Sequence, residues 1–325
     1  MNVAYPLRFK PILRRYLWGG RRLETVLGKP LPPGNDYAES WELADHGADQ
    51  SVVTSGPLSG TTLHELVRQH GSALLGPHAP QPQFPLLFKF LDAQKPLSVQ
   101  VHPNDEQAAR LTPPDRGKTE AWVVLHAEPG SRIYAGLKTG VDRRTLRDAI
   151  VAGTAEHCLH CVEPSVGDCL LIRAGTVHAL GAGLVIAEIQ QSSDTTYRLY
   201  DWNRVGPDGQ PRQLHVEQAL AVIDFDAGPV SVRSAHSTPA GRVQRLVTCD
   251  KFLVDRWQLE ASHSIAGDQR CHVLVPLQGS LDLERDAGPS ALRPGQTTLV
   301  PAAAGPLGVS PRGSVTLLDI YLPLS

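Results

Sequence analysis

The chain has 325 residues, of which 20% are charged and 41% hydrophobic, and its formal net charge is −2. This is globular composition, and the length suits one large domain or two ordinary ones. Without a block of like charges, we expect no binding to nucleic acid or to an anionic membrane surface. No apolar run approaches the ~20 residues of a membrane span and no signal-peptide pattern is present, so we predict a cytoplasmic protein.

Glycine and proline are frequent, with 29 and 27 residues, which indicates a β-rich chain with many turns. The five cysteines make an odd count that favours reduced thiols over a disulfide framework.

The predicted elements begin with an extended, proline-rich arm and loop over residues 1–35. A first strand follows at 41–43, and a short helix at 61–68 is capped by Thr61 or Thr62. Residues 104–110 read as a second short helix, and residues 139–152 as the longest one, ended by Gly153.

From residue 157 onward the pattern is strands and turns, apart from a helical patch near 216–222. We place a domain boundary in the loop-rich stretch before residue 240, which gives a domain of residues 1–235 and a second β domain of residues 236–325. A short internal repeat supports two related units: the turn that leads to His178 has a counterpart that leads to Pro306.

Residues 96–103 alternate strictly between polar and apolar side chains, as a strand with two different faces does. Three polar groups in a row on the inside of a sheet need partners, which a metal ion with a polar substrate would supply. A half-exposed strand with its polar face in water is the alternative. The polar face carries Ser98, Gln100 and His102, and the apolar face carries Leu97, Val99 and Val101.

Two imidazoles, a carboxylate and an amide oxygen within one β unit form a ligand set that suits Zn²⁺. The alternative is structural: His178 ends a strand, and Glu120 pairs with Lys118. The four candidate ligands are Gln100, His102, Glu120 and His178.

Two further clusters are candidates. Cys158 and Cys161 form a Cys-x-x-Cys pair between histidines, but no second pair accompanies it, so we expect packing residues there. Arg198 and Arg204 flank a run of aromatics and could grip a phosphate or carboxylate, or could instead stack on an aromatic ring.

Five motifs in unbroken order between about residues 7 and 205 resemble the type I mannose-6-phosphate isomerase family, in its short bacterial form. The motifs are Trp18-Gly19-Gly20, residues 97–103, Gly117 to Trp122, Ala174 to Ala179, and Glu188 to Asp201.

The resemblance implies a mostly β cupin fold with helical insertions: a metal-bearing jelly-roll barrel followed by a degenerate second barrel. It implies that Gln100, His102, Glu120 and His178 hold one Zn²⁺ ion per chain. It implies catalytic roles for Arg198, Glu188 and Lys118, and it places Ser98, Lys89 and Arg204 as substrate contacts.

The implied reaction interconverts mannose 6-phosphate and fructose 6-phosphate through an enediol, which needs a base, an acid and stabilisation of oxygen charge. Two alternatives stay open: an iron-dependent cupin oxygenase and a sugar-phosphate-binding cupin without turnover. The only partner we expect is a small sugar phosphate, and the sequence leaves the oligomeric state open.

Overall fold

The computed structural model describes residues 3–205, 209–233 and 243–324. The strands in this part of the chain are β1 (Leu7–Lys10), β2 (Ile12–Gly20), β3 (Tyr37–Leu43), β4 (Asp45–His46), β5 (Asp49–Gln50), β6 (Val52–Val53), β7 (Leu86–Ala93), β8 (Val99–Val101), β9 (Glu120–Ala127), β10 (Ile133–Leu137), β11 (Leu159–Val162), β12 (Cys169–Ile172), β13 (His178–Leu180), β14 (Leu184–Gln191), β15 (Tyr197–Tyr200), β16 (Val243–Thr248), β17 (Leu253–Leu259), β18 (His263–Ile265), β19 (His272–Gln278), β20 (Leu281–Leu283), β21 (Thr298–Val300), β22 (Leu307–Pro311) and β23 (Val315–Tyr321).

The α-helices are short and lie between strands. They are α1 (Arg22–Leu27), α2 (Leu63–Leu75), α3 (Asp105–Ala108), α4 (Arg143–Val151) and α5 (Val216–Val222). None of the helices in the described residues is long and apolar enough to cross a membrane.

Two facing antiparallel sheets form the first barrel. The five-stranded sheet has the order β11-β10-β13-β8-β15, and the six-stranded sheet has the order β12-β9-β14-β7-β3-β2. Along β14 the side chains alternate: Glu188 faces the barrel interior, whereas Ala187 and Ile189 join the apolar core outside it. The outer face of the five-stranded sheet, with Val99 and Val101, is covered by α4 and α5.

The second barrel combines a seven-stranded sheet, β16-β17-β23-β19-β21-β1-β6, with a three-stranded sheet, β18-β22-β20. Its interior is filled with aliphatic side chains such as Leu274, Leu281 and Leu317. The largest apolar core lies between the barrels, where Phe88 of the six-stranded sheet and Val273 of the seven-stranded sheet are both buried. The mostly β fold with two cupin barrels and helical insertions is therefore confirmed.

The N-terminal segment differs from the expected arm, because it is built into both barrels. Strand β1 pairs with β21 of the second barrel, β2 pairs with β3 of the first, and α1 follows at once. These strands are difficult to predict from the sequence, because prolines surround them and because their hydrogen-bond partners are distant in the chain. The boundary between residues 235 and 236 lies outside the described residues, and that division stays a prediction.

The predicted helices are present, but α2 continues to residue 75 rather than 68, so the longest described helix is α2 with 13 residues and not, as predicted, α4 with 9. Thr62 caps α2 in a capping box with Glu65, and Asn104 caps α3 in the same way. Helix α4 begins at residue 143 rather than 139, because Asp142 accepts a hydrogen bond from Thr145 N and so provides the cap.

One end of the second barrel holds a buried polar cluster centred on His272. Its Nδ1 lies 2.7 Å from Asp319 Oδ1 and its Nε2 lies 2.9 Å from Asp268 Oδ1. The ring also packs on Tyr321, and Arg270 pairs with Asp268. Burial by itself would lower the pKa of His272, but the two carboxylates outweigh it and raise the pKa to about 9.

This raised pKa predicts a loss of stability at alkaline pH. The pKa of His272 is above the ordinary histidine value of 6.5, so the stabilisation is complete below about pH 6.5 and disappears as the pH rises through about 9. We expect the free energy of unfolding, measured in urea, to fall by on the order of 2 kcal/mol across that window. In His272→Asn most of this pH dependence should vanish.

His263→Gln is the matched control, because His263 is an exposed histidine of the same barrel. It should keep the wild-type pH dependence. An unchanged slope in His272→Asn would contradict the assignment of a charged His272.

Candidate active site

Three neighbouring strands of the five-stranded sheet carry a row of polar side chains on the inner face of the first barrel. His178 on β13 pairs in register with Gln100 on β8, and Gln100 pairs with Arg198 on β15. Directly opposed residues have Cβ atoms about 5 Å apart, so the three side chains are neighbours. Ser98 lies on the same face, as the alternating pattern predicted, and lines the cavity with Gln100.

The two histidines are held with the same nitrogen pointing inward. His102 Nδ1 donates to Thr195 O at 2.9 Å and His178 Nδ1 donates to Thr176 O at 2.9 Å. Each Nε2 therefore presents its lone pair to the interior, the orientation that metal-binding histidines usually have. Burial, the main cause in both cases, lowers the pKa of His102 well below its usual range and lowers the pKa of His178 to about 4. Both rings are therefore neutral.

The loops behind His102 fix this arrangement. Thr195 Oγ1 and Ser193 Oγ both donate to Asp115 Oδ2, which anchors the carbonyl that His102 contacts. On the other side, Gly175 N donates to His102 O at 2.9 Å. Gly175 has a φ of +86°, which only glycine adopts without strain, so the turn before His178 requires it.

Glu120 on β9 completes the group from the opposite sheet. Its Oε1 lies 3.3 Å from His178 Nε2, and its Oε2 lies 3.6 Å from His102 Nε2 and 3.1 Å from Lys118 Nζ. Both oxygens are fully buried; among the described residues Oε1 accepts no hydrogen bond, and Oε2 has the Lys118 ammonium as its partner. Burial raises the pKa of Glu120 to about 7, a sign that its charge is only partly compensated.

The described residues contain one group of three or more His, Cys, Asp or Glu side chains that could hold a metal ion together. It consists of His102, Glu120 and His178, whose ligand atoms all lie within 4.8 Å of one another. Gln100 reaches the same point: its Nε2 lies 3.2 Å from His178 Nε2. Half a turn about its terminal bond would present the amide oxygen instead. The Cys158 and Cys161 pair belongs to no such group, and all five cysteines are free thiols.

A second polar row crosses the six-stranded sheet. Trp122 pairs with Glu188, and Glu188 pairs with Lys89, in strict register across β9, β14 and β7. Lys89 in turn faces Trp41 on β3. Trp122 Nε1 donates to Glu188 Oε2 at 2.9 Å, and Lys89 Nζ lies 3.0 Å from Glu188 Oε1. The row therefore presents a held carboxylate and its cation to the barrel interior.

Lys89 lies between two carboxylates, since Glu39 Oε2 is 3.6 Å from its Nζ. Burial would lower the pKa of Lys89, but Glu188 and Glu39 outweigh it and raise that pKa. Burial would likewise raise the pKa of Glu188, but Lys89 and Lys118 hold that pKa below its usual range. Both groups are therefore charged at neutral pH.

The two rows face each other across a cavity of about 280 Å³. Of the predicted site residues, Ser98, Gln100, Lys89, Lys118, His178, Glu188 and Arg198 line it. The structure thus brings the predicted metal and catalytic residues together, as the strand pattern required.

At the cavity mouth Arg198 is held by its neighbours. Its Nε donates to Ser98 Oγ at 3.2 Å and its Nη1 donates to Gln213 O at 2.9 Å. Arg212 lines the same cavity, although sequence reasoning did not identify it. Its loop position carries no periodic signal, so only the folded chain brings Arg212 to this site.

Arg204, by contrast, does not line this cavity within the described part of the chain. Its Nη1 donates to Pro96 O at 2.6 Å, and it pairs with Asp201. Its predicted phosphate contact stays a prediction. Glu39 and Tyr16 were also missed, although both line the cavity from strands β3 and β2; Glu39 and Trp41 two residues on share the inner face, a period-two pattern that could have indicated it.

The chain folds into two cupin barrels. The first encloses neutral histidines, buried carboxylates and cations around a small cavity. This combination of fold and site defines a cupin-type enzyme.

Comparison with known proteins gives the particular family. Residues 7–120 match the model of the phosphomannose isomerase type I catalytic domain. Over 279 residues the chain is 36% identical to mannose-6-phosphate isomerase ManA of Bacillus subtilis, covering 84% of this chain and 86% of the relative. It is also 36% identical to a mannose-6-phosphate isomerase of Streptococcus mutans, over 80% of this chain and 81% of the relative.

A crystal structure of the mannose 6-phosphate isomerase from Bacillus subtilis superimposes with a TM-score of 0.88 at 28% identity, covering 98% of this chain and 100% of that one. The chain belongs to the type I mannose-6-phosphate isomerase family, and it is an isomerase.

The buried row generates a test of charge compensation. Lys89→Met leaves Glu188 and Glu39 buried without their cation, so the free energy of unfolding should fall by about 3 kcal/mol in urea titrations. Adding Glu188→Gln to this variant removes one uncompensated charge and should recover at least about 1 kcal/mol. Strictly additive losses in the double variant would contradict the pairing.

Proposed function

We propose that this chain interconverts mannose 6-phosphate and fructose 6-phosphate through an enediol, with a zinc ion in the first barrel. The substrate is supported by the relatives, which are mannose-6-phosphate isomerases. The observation that carries the metal is Glu120, whose buried Oε1 accepts no hydrogen bond from any described residue and whose two oxygens face two imidazole lone pairs. The proposed ligands are Gln100, His102, Glu120 and His178.

The donor set fits zinc. Two neutral imidazole nitrogens, a carboxylate and an amide oxygen are borderline ligands, and a site with few protein ligands keeps room for substrate. A cation there would also stabilise the charged form of Glu120 and so lower its raised pKa. When bound, the ion would supply Lewis-acid polarisation of the sugar oxygens. Iron is less favoured, because an amide ligand and a neighbouring lysine are unusual for an oxygenase.

We assign removal of the proton at C2 of the sugar to Glu188. Its carboxylate lines the cavity and stays ionised, because Lys89 lies 3.0 Å from Oε1. The hydrogen bond from Trp122 to Oε2 fixes the direction in which Oε1 points. A positioned carboxylate can carry the proton between C2 and C1 on one face of the enediol.

Lys118 is assigned as the acid that protonates a sugar oxygen. Its Nζ lies 3.1 Å from Glu120 Oε2 and 3.3 Å from His102 Nε2, beside the proposed ligands and on the cavity wall. An ammonium at this place can give a proton to O1 as the enediol forms, and the resulting amine can take the proton of the C2 hydroxyl as the ketone forms, which restores Lys118.

The cations at the mouth would bind the phosphate. Arg198 and Arg212 line the same cavity as Ser98, and Arg198 is held by Ser98 Oγ. Guanidinium groups suit phosphate because they can bind it bidentately. Anchoring the phosphate there orients the sugar with its reacting carbons toward the polar rows. Arg198 lies opposite Gln100, one of the proposed metal ligands, on the neighbouring strand. Its guanidinium can therefore stabilise negative charge on a sugar oxygen that is bound beside these ligands.

Metal dependence is the first prediction of this proposal. Treatment with a chelator should abolish conversion of mannose 6-phosphate in a coupled assay, and zinc should restore it. The zinc content, measured by elemental analysis, should be one ion per chain and should fall in Glu120→Gln. Full activity in metal-free protein would refute the proposed site, and restoration by iron together with oxygen uptake would favour an oxygenase.

Glu188→Gln tests the proton transfer. This variant keeps the shape and the hydrogen-bond capacity of the side chain but removes the base, so kcat should fall by about 10²- to 10⁴-fold while KM changes little. Exchange of the C2 proton with deuterated water, followed by NMR, should slow equally.

Ser98→Ala is the matched control, since it removes a contact at the mouth rather than the base. It should raise KM more than it lowers kcat. A wild-type exchange rate in Glu188→Gln would assign the proton transfer to another group.

A further inference from the structure

A second cavity, of about 330 Å³, opens beside the substrate cavity. The side chains of Tyr16, Trp18 and Arg212 line both, so the two cavities are contiguous. The substrate cavity, at about 280 Å³, is already close to the size at which small-molecule sites begin. A hexose phosphate therefore does not need the second cavity, and another ligand can account for it.

The second cavity has an aromatic wall. Tyr16 and Trp18 lie two residues apart on β2, and their rings stack with centroids 5.6 Å apart and planes 16° apart. Leu17 and Val205 complete the apolar lining, with 69% and 65% of their surfaces exposed, and Tyr16 is 43% exposed. Exposed apolar side chains grouped around one concavity indicate a binding site, whereas scattered ones do not.

The same cavity is positively charged. Lys95, Arg204 and Arg212 face one carboxylate, Asp201, so three cations meet one anion. Both arginines pair with Asp201, and Arg212 Nε donates to Asp201 Oδ2 at 2.8 Å. Within residues 3–205, 209–233 and 243–324, no carboxylate pairs with the Lys95 ammonium. An anionic ligand would balance this excess.

We propose that the second cavity binds a nucleoside phosphate, with its base on the Tyr16 ring and its phosphate between Lys95 and Arg212. A planar base uses the aromatic wall, because stacking on an aromatic ring stabilises a bound base. The phosphate uses the cations, with bidentate contact to a guanidinium. A neutral sugar would leave the excess positive charge of the cavity uncompensated, and inorganic phosphate would leave the aromatic wall without a partner.

Binding at this place has a consequence for catalysis. Since Tyr16 and Arg212 also line the substrate cavity, a nucleoside phosphate and a sugar phosphate cannot both occupy them. The nucleotide is therefore a competitive inhibitor, which raises the apparent KM for mannose 6-phosphate and leaves kcat unchanged. The inhibition rests on the proposed function, but the binding does not.

The purified full-length protein is titrated separately with GDP, ADP, guanosine and inorganic phosphate. Binding is measured by calorimetry and by tryptophan fluorescence. GDP or ADP should bind at least about tenfold more tightly than guanosine or inorganic phosphate. Leu17→Glu and Lys95→Gln should weaken nucleotide binding at least about fivefold, through repulsion and loss of a cation. Neither residue lines the substrate cavity, so KM without nucleotide should stay at the wild-type value.

Matched controls are Val166→Glu and Lys138→Gln, which make the same changes at exposed positions outside both cavities. They should bind nucleotide as the wild type does. No nucleotide binding at millimolar concentrations, or binding that Leu17→Glu and Lys95→Gln leave unchanged, would overturn the proposal, and so would equal affinity for inorganic phosphate. Because titration needs no turnover, nucleotide binding without isomerase activity would refute the proposed function alone.

Discussion

Charge compensation inside the first barrel is the constraint on which the site depends. An isolated carboxylate or ammonium is very unfavourable in a protein interior, so buried charges occur with partners. Lys89 lies between Glu188 and Glu39, and Lys118 lies beside Glu120. Apart from Lys118, which lies two residues before β9, each of these side chains is on a strand, so sheet register determines most of the pairing and hence the charge state of the reacting groups.

The two barrels use the same architecture for different purposes. The second barrel fills its interior with aliphatic side chains, mainly leucine and valine, which stabilises the barrel. The first barrel has apolar cores on its outer faces and a further apolar cluster of which Leu91, Trp122 and Leu180 line the substrate cavity. Packing of the six-stranded sheet against the second barrel supports the polar inner face, because the burial of Phe88 and Ile189 offsets the unfavourable burial of charge.

The N-terminal strands join the barrels and also shape the substrate entrance. Strand β1 belongs to the second barrel, whereas β2 carries Tyr16 and Trp18 to the cavity mouth. Below them, buried Lys29 pairs with Glu42 at 2.7 Å and donates to Gly295 O of the second barrel. These contacts connect the N-terminal segment to both barrels. The position of the residues at the cavity mouth therefore depends on the packing of both barrels.

The β-rich architecture, a cap of α2 at Thr61 or Thr62, and the polar face of residues 96–103 could be predicted from the sequence alone. These features follow from local rules: period-two alternation and side-chain capping operate over a few residues. The candidate ligands were also identifiable, because polar residues on an otherwise buried strand are conspicuous and their motifs resemble a known family.

Only the tertiary structure decided which distant residues meet. Arg212 reaches the cavity from a loop, Arg204 turns to Asp201 and Pro96, and Lys89 is paired with two carboxylates from different strands. Strand β1 lies in the second barrel although it is close in sequence to the first. Such contacts depend on sheet order and register between remote segments, and these are set by packing of the complete chain rather than by any local pattern.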